Sequence, residues 1–499
     1  MNGATRQLPG RADHAAVRRA NLAVAVRALR AGGRSRAQLA ADTSLTKATV
    51  SSLVTELAGR GLVQTARPRT TAADPANSAG SASDTHPTNA GTTAGNGGPS
   101  RAGAVGRPGQ PVELATGRVL AIGVELNVDY LCGVVLDLGG RERVLTRTAF
   151  DVPAGVEATA DEVVRLVTEL ADRTLADAAF ATADDPAVLA GVGVAAPGLV
   201  DGTRGTVRVA PNLGWRDVPL HDLLAVRLAG RALPWLPGGA QPWDERLLVD
   251  NEATLATLAE YAEFAEFADD AGPGDRDLVL VTGGVGVGGG LVVDGRLVRG
   301  SGGFAGEVGH LAVAPDGARC GCGRRGCWET LCGLGALLDL AAPPDDLVHR
   351  HDHDLDERLD LLLDRARNGD ERTLTAFDRV GRALGHGASM LVNLTNPRVL
   401  VLGGYFARLG EFLRPVVESE LAARVVAPDA GGVRVTLSRL GLAAAATGAA
   451  HAVLAPVLDD PTLVPPLAGQ SPAAAQSPAA AQSPTSAVHA PSTLAEEIG

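Results

Sequence analysis

The sequence predicts an α/β body preceded by a small helical module. Short runs rich in Val, Leu, Ile and Gly alternate with Ala/Leu-rich helical stretches through the middle of the chain, a pattern typical of α/β proteins. The chain has 499 residues, of which 45% are hydrophobic, so it can bury several cores and two or three domains are expected. The predicted strands include residues 120–124, 131–136, 191–195, 278–281 and 399–402.

Charge is distributed unevenly along the chain. Residues 1–69 contain twelve Lys and Arg against three acidic residues, a net charge of +9, so the rest carries −21 within a total of −12. A basic amino-terminal module on an acidic body is the electrostatic layout of a DNA-binding domain attached to another domain. A solvated basic tail would also be positive, but the periodic apolar pattern beneath these charges disfavours it.

Three helices are predicted within residues 21–64. The first ends at Gly32-Gly33, Ser35 can cap the second and Thr46 can cap the third. Two short helices joined by a tight turn, the second bearing small polar residues opposite its apolar stripe, match a helix-turn-helix. A small helical bundle that binds protein is the alternative. On the helix-turn-helix interpretation, the residues that point toward the DNA major groove are Lys47, Ala48, Ser51, Ser52 and Thr55.

Two segments are predicted to be disordered. Residues 71–104 are dominated by Ala, Thr, Ser, Gly, Asn and Pro, and they cannot bury enough apolar surface to offset their ordering entropy. The end of the chain is similar, since residues 471–476 repeat directly as 477–482. We therefore expect a disordered tail over 459–499, together with a flexible amino terminus over 1–18.

One histidine and three cysteines lie within eighteen residues. His310 is followed by Cys320, Cys322 and Cys327, with glycine-rich turns between them. Zinc prefers four tetrahedral nitrogen or thiolate ligands, so this loop, 310–327, predicts a closed structural site without an open position for catalytic water. Ordinary buried cysteines or disulfides are the alternatives. We expect a reducing cytosol, because no signal peptide and no run of eighteen apolar residues is apparent, and there clustered cysteines favour a metal.

Long motifs flank this cluster. Upstream is the run Gly-Gly-Phe-Ala-Gly-Glu-Val-Gly-His at 302–310, and downstream Cys-Trp-Glu-Thr at 327–330. Together they resemble the signature of the ROK family (repressors, open reading frames and sugar kinases), and the resemblance covers most of residues 118–458. It implies a two-lobed body of the actin/hexokinase (ribonuclease H-like) type. In that family the residue matching Glu307 contacts a sugar, and the one matching His310 touches both sugar and zinc.

The resemblance also bears on the extent of the amino-terminal module. Gly106-Arg107-Pro108, followed by Val112–Leu114, resembles the second wing strand of ROK repressors. This implies a winged helix-turn-helix over 19–114, interrupted by the disordered insertion. Since an arginine on such a wing can enter the minor groove, Arg107 is a further candidate DNA contact.

Several motifs resemble the sugar side of the family's site. Residues 193–198 resemble the strand and turn beneath the sugar, 211–215 the Asn-Leu-x-x-Trp loop, and 250–252 the catalytic turn. Each is ordinary when taken singly, and the joint occurrence in family order favours a sugar pocket. Amides and carboxylates can pair with sugar hydroxyls. The implied sugar ligands are Asn212, Asn251, Glu252, Glu307 and His310.

The phosphate side of the family pattern is degenerate. Where the family's kinases carry Asp-x-Gly-Gly-Thr, residues 125–129 are Glu-Leu-Asn-Val-Asp. The second phosphate loop, 284–290, has valine in place of threonine, and Glu252 stands at the catalytic aspartate position. A Gly-Gly at 403–404 resembles the adenosine-side loop but is also ordinary turn chemistry. A kinase needs a base and phosphate-binding loops, so three losses indicate retained binding without catalysis.

Residues 125–130 and 250–252 together look most like the xylose-operon repressor branch of the family. The resemblance therefore implies a cytoplasmic, sugar-responsive repressor of carbohydrate-utilisation genes that is not an enzyme. Its expected partners are a monosaccharide and an inverted-repeat operator bound by a homodimer or dimer of dimers, with structural zinc as cofactor and no membrane. Two alternatives stay open: an ATP-dependent, glucokinase-like sugar kinase that kept a DNA-binding domain, and a constitutive DNA-binding protein with a vestigial pocket.

Overall fold

The computed structural model of the chain describes most of the sequence between residues 14 and 467. The described ranges are 14–66, 110–150, 155–176, 187–231, 233–236, 246–266, 276–350, 353–426 and 432–467. Some predicted features lie outside these ranges, namely the insertion 71–104, Arg107, residues 1–13 and the tail from residue 468 onward.

Three helices and a two-stranded antiparallel sheet form the amino-terminal module. They are α1 (His14–Arg30), α2 (Arg36–Thr43), α3 (Lys47–Gly59), β1 (Val63–Thr65) and β2 (Val112–Leu114). Both predicted caps are present. Ser35 and Gln38 form a reciprocal capping box at the start of α2, and Thr46 accepts a hydrogen bond from the Thr49 backbone N–H at 3.1 Å. Helix α1 begins earlier than the predicted flexible terminus 1–18 allows, because Arg18 is held by an ion pair to Glu56 (2.5 Å).

A five-stranded sheet organises the first lobe. The elements are β3 (Val119–Leu126), β4 (Tyr130–Asp137), β5 (Glu142–Ala149), α4 (Val156–Ala176), β6 (Val188–Ala196), β7 (Leu199–Asp201), β8 (Thr206–Ala210), β9 (Trp215–Val218), α5 (Leu220–Ala229) and β10 (Leu247–Asn251). The sheet order is β10-β6-β3-β4-β5, with β3, β4 and β5 antiparallel and β6 and β10 parallel to β3. Strands β7, β8 and β9 form a separate antiparallel sheet.

The second lobe repeats the same strand arrangement. Its elements are α6 (Glu252–Glu266), β11 (Leu278–Gly283), β12 (Val287–Val293), β13 (Arg296–Leu297), α7 (Glu329–Cys332), α8 (Leu334–Ala341), α9 (Leu355–Arg367), α10 (Glu371–Thr395), β14 (Val399–Gly404), α11 (Tyr405–Arg408), α12 (Gly410–Arg424) and β15 (Arg434–Leu437). The sheet order is β13-β12-β11-β14-β15, again three antiparallel strands followed by two parallel ones. Two lobes with one topology give the mixed α/β, actin/hexokinase-like architecture that the sequence predicts.

The last helix, α13 (Ala444–Asp459), returns to the first lobe. It packs so closely on β3 and β6 that a Cβ at Gly123 would lie 1.9 Å from the Ala446 carbonyl oxygen. Residues 441–459 are long and apolar enough to cross a membrane by length and composition. Most of this helix is buried between the two lobes, however, which is the usual situation of a core helix.

The chain remains ordered beyond α13, which corrects the prediction of a disordered tail from residue 459. A 3-10 turn covers Pro461–Leu463, and Val464 is fully buried. The Leu467 backbone N–H donates to the carbonyl oxygen of Gly59 at 2.8 Å. These contacts anchor the segment 459–467 on the amino-terminal module, and within it Pro461 and Val464 are buried.

Candidate functional site

A cleft of about 1310 Å³, its open mouth included, lies between the two lobes. The ends of β3, β6 and β10 line it from the first lobe, and the β11–β12 turn and residues 306–310 line it from the second. The structure thus brings together every residue predicted to contact a sugar. These are Asn212, Asn251, Glu252, Glu307 and His310.

The junction between β10 and α6 supplies two of these residues. The Asn251 side chain caps α6 by accepting from the Thr254 backbone N–H at 2.9 Å, and it donates to the Gly198 carbonyl oxygen at 2.8 Å. Glu252 is the first residue of α6 and borders the cleft directly. The preceding Asp250 is buried and is held by Arg299 at 2.7 Å. The helix cap therefore positions both side chains, and Asn251 has one amide hydrogen left for a ligand.

A group of carboxyls shares the floor of the cleft. Burial, together with the nearby charges of Glu125 and Glu307, raises the pKa of Glu252 to about 8. Burial also raises the pKa of Glu125 to about 7, although hydrogen bonds from Tyr130 and Asn127 oppose the shift. Carboxyls that raise one another's pKa in this way lie close together and disfavour any anion between them.

Glu125 and Tyr130 were not predicted as site residues. The Tyr130 hydroxyl donates to Glu125 Oε1 at 3.0 Å, and the Asn127 amide donates to the same oxygen at 3.4 Å. Glu125 Oε2 is buried and has no hydrogen-bond partner. The available signal is a carboxylate near the end of the otherwise apolar strand 119–126, five residues before a tyrosine.

The glycine-rich run 284–290 is not a loop over its whole length, which corrects the sequence interpretation. Only residues 284–286 form a turn, and the remaining four begin β12. A Cβ at Gly290 would lie 2.0 Å from Thr257 Oγ1, so this glycine lets α6 pack on the strand. Packing between helix and sheet, rather than phosphate binding, accounts for the glycine at this position.

The four predicted metal ligands converge beside the cleft. The ligand atoms of His310, Cys320, Cys322 and Cys327 all lie within 4.8 Å of one another. Cys322 Sγ is 3.7 Å from Cys327 Sγ, and His310 Nδ1 is 3.6 Å from Cys320 Sγ. Around a tetrahedral zinc-like ion, two thiolates lie about 3.8 Å apart, and an imidazole nitrogen lies about 3.6 Å from a thiolate. The cluster therefore has the spacing to hold a tetrahedral metal ion.

The histidine–cysteine cluster and the cleft share a wall. Trp328 is fully buried against α10, and its indole N–H donates to the Ala383 carbonyl oxygen at 2.8 Å, which fixes the end of the cysteine loop. The next residue, Glu329, lines the cleft and lies 3.5 Å from His310 Nδ1. Glu329 was missed as a site residue, although it belongs to the motif quoted around Cys327.

The residues predicted to read DNA share the exposed face of α3. Lys47, Ala48, Ser51, Ser52 and Thr55 are all exposed, whereas Val50, Leu53, Val54 and Leu57 on the opposite face are buried. Arg18 of α1 approaches this surface, with its guanidinium 3.5 Å from Ser52 Oγ. The structure therefore presents the five residues together on one helix face.

Ion pairs and hydrogen bonds join the amino-terminal module to the end of α13 and the residues that follow it. Arg27 pairs with Asp459, and Arg19 lies 3.8 Å from Asp460. The Arg60 guanidinium, at the end of α3, donates to the carbonyl oxygens of Thr462 (3.1 Å) and Val464 (2.6 Å). The segment 459–467 therefore connects the body to the helix that carries the exposed polar face.

A two-lobed α/β protein with a polar interlobe cleft and a histidine–cysteine loop spaced to hold a metal ion is the class that this fold and site define. Within that class the chain belongs to the ROK family, whose model matches residues 244–455. A glucokinase of Halalkalibacterium halodurans is 30% identical over 268 residues, 51% of this chain and 72% of that protein. A putative xylose repressor of Caldicellulosiruptor sp. is 27% identical over 368 residues, 72% of this chain and 84% of that protein.

Among solved structures, a ROK family transcriptional regulator, described as a homolog of the E. coli MLC protein, has a similar fold. It is 21% identical with a TM-score of 0.60, and the match covers 90% of this chain and 98% of that one. The family thus includes both regulators and sugar kinases similar to this chain.

Proposed function

We propose that this protein is a sugar-responsive, DNA-binding transcriptional regulator that represses carbohydrate-utilisation genes. The observation that carries the proposal is that the cleft has polar groups suited to a polyol but no glycine in its β3–β4 turn. Asn212, Glu252 and Glu307 line a space suited to a polyol. The β3–β4 turn, residues 127–129, lines the same cleft and has a side chain at every position where a phosphate would need exposed backbone amides.

The arrangement of the amino-terminal module supports duplex DNA binding by a winged helix-turn-helix. Helix α3 would enter the major groove with its exposed polar face, α2 would support it, and β1 and β2 would form the wing. The xylose repressor match spans more of this chain than the glucokinase match, 72% against 51%. The match to the regulator structure covers 90% of this chain. That share is larger than residues 110–467 make up, so the match extends beyond the two-lobed body. Binding to an inverted repeat by a homodimer or dimer of dimers belongs to this proposal.

A sugar kinase with an added DNA-binding domain is the competing proposal, because glucokinases are among the relatives. Three features disfavour it. The β3–β4 turn contains no glycine, Val285 occupies the β11–β12 turn in place of a hydroxyl residue, and Glu252 is one methylene longer than a catalytic aspartate. Phosphoryl transfer depends on holding the nucleotide phosphates in position. Without backbone N–H groups and a hydroxyl group to bind them, the phosphates would not be held.

We further propose that His310, Cys320, Cys322 and Cys327 hold one structural zinc ion. Four protein ligands would complete a closed tetrahedral shell, so the ion would stabilise the loop without taking part in chemistry. Burial raises the pKa of Cys322, but hydrogen bonds from the Arg324 backbone and from the neighbouring thiols outweigh this and lower it to about 7. A thiol with a lowered pKa supplies the thiolate that a metal requires.

Helices α6 and α13 offer a route from the cleft to the DNA-binding module. A Cβ at Gly448 of α13 would lie 1.8 Å from the Leu255 carbonyl oxygen, so the two helices touch through their backbones. Helix α6 starts at Glu252 in the cleft, and the end of α13 contacts α1 through Asp459 and Arg27. We propose that a bound sugar favours one lobe arrangement, shifts α6 against α13 and thereby reorients the module on DNA.

Two measurements on the full chain test this function. Mobility shifts with DNA from its own promoter should show specific binding that neutral monosaccharides alter. A coupled ADP assay with the same sugars should show no phosphorylation at the rate of about one per second or more that enzymes ordinarily reach. Sugar phosphorylation at that rate would establish the kinase alternative, and DNA binding that no sugar alters would favour the vestigial pocket.

A further inference from the structure

Glu125 is a buried carboxylate with one hydrogen-bonded oxygen and one oxygen without a hydrogen-bond partner. The residue is 6% exposed at the end of the central strand β3 and lines the cleft. Its Oε1 accepts from the Tyr130 hydroxyl at 3.0 Å, whereas its Oε2 has no partner. A buried polar oxygen without a hydrogen bond is destabilising, so a ligand hydroxyl that reached Oε2 would supply the bond it lacks.

A second network holds the Glu125–Tyr130 pair in place. The Arg147 guanidinium lies over the Tyr130 ring, 5.5 Å from its centroid. Arg147 also donates to Asp354 at 2.8 Å and to Asp356, at the start of α9 in the second lobe. Tyr130 is thus fixed between a carboxylate inside the cleft and an ion pair that bridges the two lobes. This support fixes the Glu125 carboxylate at the wall of the cleft.

The charge of the cleft limits what Glu125 could bind. Among the described residues that line the cleft there is no Lys or Arg. A phosphate placed there would meet an acidic lining whose described residues include no Lys or Arg to pair with, and burying its charge without a partner is costly. A sugar hydroxyl, in contrast, can donate directly to a carboxylate oxygen. The lining carboxylates are Glu125, Asp129, Glu252, Glu307 and Glu329.

We propose that Glu125 determines the specificity of the effector site: its Oε2 accepts a hydrogen bond from a hydroxyl of an uncharged monosaccharide, and the acidic lining to which it belongs, where no described residue is Lys or Arg, excludes phosphorylated sugars and nucleotides. Tyr130 acts as a positioning residue that holds the carboxylate. This inference rests on the proposed sugar sensor and adds to it the ligand's chemical class. It also assigns a function to the strand end that no longer carries a phosphate loop.

Calorimetry on the full-length protein tests the inference. The probes are D-xylose, D-glucose, D-mannose, D-galactose, L-arabinose and D-glucose 6-phosphate, followed by monodeoxy forms of whichever neutral sugar binds. Glu125→Gln keeps the shape of the side chain and should weaken the neutral sugar at least about tenfold, the size expected for a hydrogen bond to a charged group. The matched control Glu142→Gln, on the exposed face of β5, should leave affinity unchanged.

The deoxy sugars separate ligand contact from a structural effect. The deoxy sugar that lacks the hydroxyl bound by Glu125 should bind the wild type weakly. It should bind the Glu125→Gln variant with the same weak affinity, because the same hydrogen bond is already missing. Equal deoxy penalties in both proteins, or glucose 6-phosphate binding as tightly as glucose, would overturn the inference. Tyr130→Phe retains the carboxylate and should weaken the sugar several-fold. Unchanged affinity in Tyr130→Phe would oppose its positioning role even if Glu125→Gln failed to fold.

The same titrations distinguish failure of the proposed sugar sensor from failure of the proposed role of Glu125. A wild-type protein that binds none of the neutral sugars contradicts the proposed sensor itself. A wild-type protein that binds one of them with an affinity independent of Glu125 contradicts only the role of this residue.

Discussion

The Nε2 atom of His310 lies 3.8 Å from Oε2 of Glu307, while Nδ1 of the same ring lies 3.6 Å from Sγ of Cys320. One imidazole therefore faces the cleft with one nitrogen and the cysteine cluster with the other. An ion held by the cluster would fix the ring and with it one wall of the ligand site. This relationship couples the proposed metal to the proposed sugar response.

Loss of the metal should disrupt both folding and sensing. Cys322→Ser should lower the zinc content from about one ion per chain and destabilise the second lobe, because a closed site contributes its binding energy to folding. The sugar response should also disappear, since His310 would lose its fixed orientation. Metal analysis and thermal unfolding check this, and Cys132→Ser, which removes a thiol outside the cluster, is the control for metal content. Freshly purified protein without zinc, and with all five thiols titratable, would reject the site.

Removing the Lys47 side chain should weaken DNA binding because a contact to one DNA phosphate is lost. Lys47→Ala should lower operator affinity and reduce the slope of log affinity against log salt by about one, as expected for one lost phosphate contact. The body should stay folded, because Lys47 is exposed and packs against nothing in the core. Arg173→Ala on α4 is the matched control and should change neither quantity. An unchanged salt slope for Lys47→Ala would show that α3 does not carry the contact.

Glu307 should affect the response to sugar but not the operator. Glu307→Ala leaves sugar hydroxyls unpaired at a cost of about 1–3 kcal/mol, roughly five- to more than hundredfold in affinity. The variant should therefore bind its operator normally and need correspondingly more sugar to respond. Titration of a mobility shift with sugar measures both quantities. A response at wild-type sugar concentration would remove Glu307 from the ligand site.

Arg60 should be needed for communication between the cleft and the DNA. Its guanidinium is mostly buried and donates to the Thr462 and Val464 carbonyl oxygens, so Arg60→Ala leaves both oxygens without this donor. We expect operator binding without sugar to persist and sugar affinity to change less than about twofold, while the effect of sugar on the operator shrinks several-fold. Arg424→Ala, remote from the module, is the control. A wild-type sugar response in Arg60→Ala would show that the signal takes another route.

Glu252 should make stability depend on pH. Its pKa is raised from 4.5 to about 8 in the folded chain, so its contribution is fully present below pH 4.5 and is lost as pH rises through 8. Glu252→Gln has no proton to lose and should gain stability over the wild type as pH rises from 5 to 8, by at most about 5 kcal/mol. Glu125 and Glu307 face the same group and remain in both proteins. Denaturant unfolding at several pH values measures the difference, and a difference independent of pH would contradict the burial of this carboxyl.

Sequence patterns that depend on near neighbours predicted their structures well. Ser35 and Thr46 cap the helices that they were expected to cap, and the four metal ligands within residues 310–327 converge. Caps and short-loop clusters are determined by interactions over a few residues, so composition and spacing are sufficient. The glycine run 284–290 was interpreted wrongly because a glycine needed for close packing of a helix cannot be distinguished from one in a loop by spacing alone.

The sequence by itself determined the two-lobed body, the basic module, the histidine–cysteine loop and the set of polar residues that line the cleft. Only the tertiary structure placed Glu125 beside Glu252, joined Arg60 to Val464 and brought α6 into backbone contact with α13. These pairs are separated by more than a hundred residues of sequence. Their proximity depends on how two sheets and one shared helix pack together, and packing is a property of the whole core that no local pattern records.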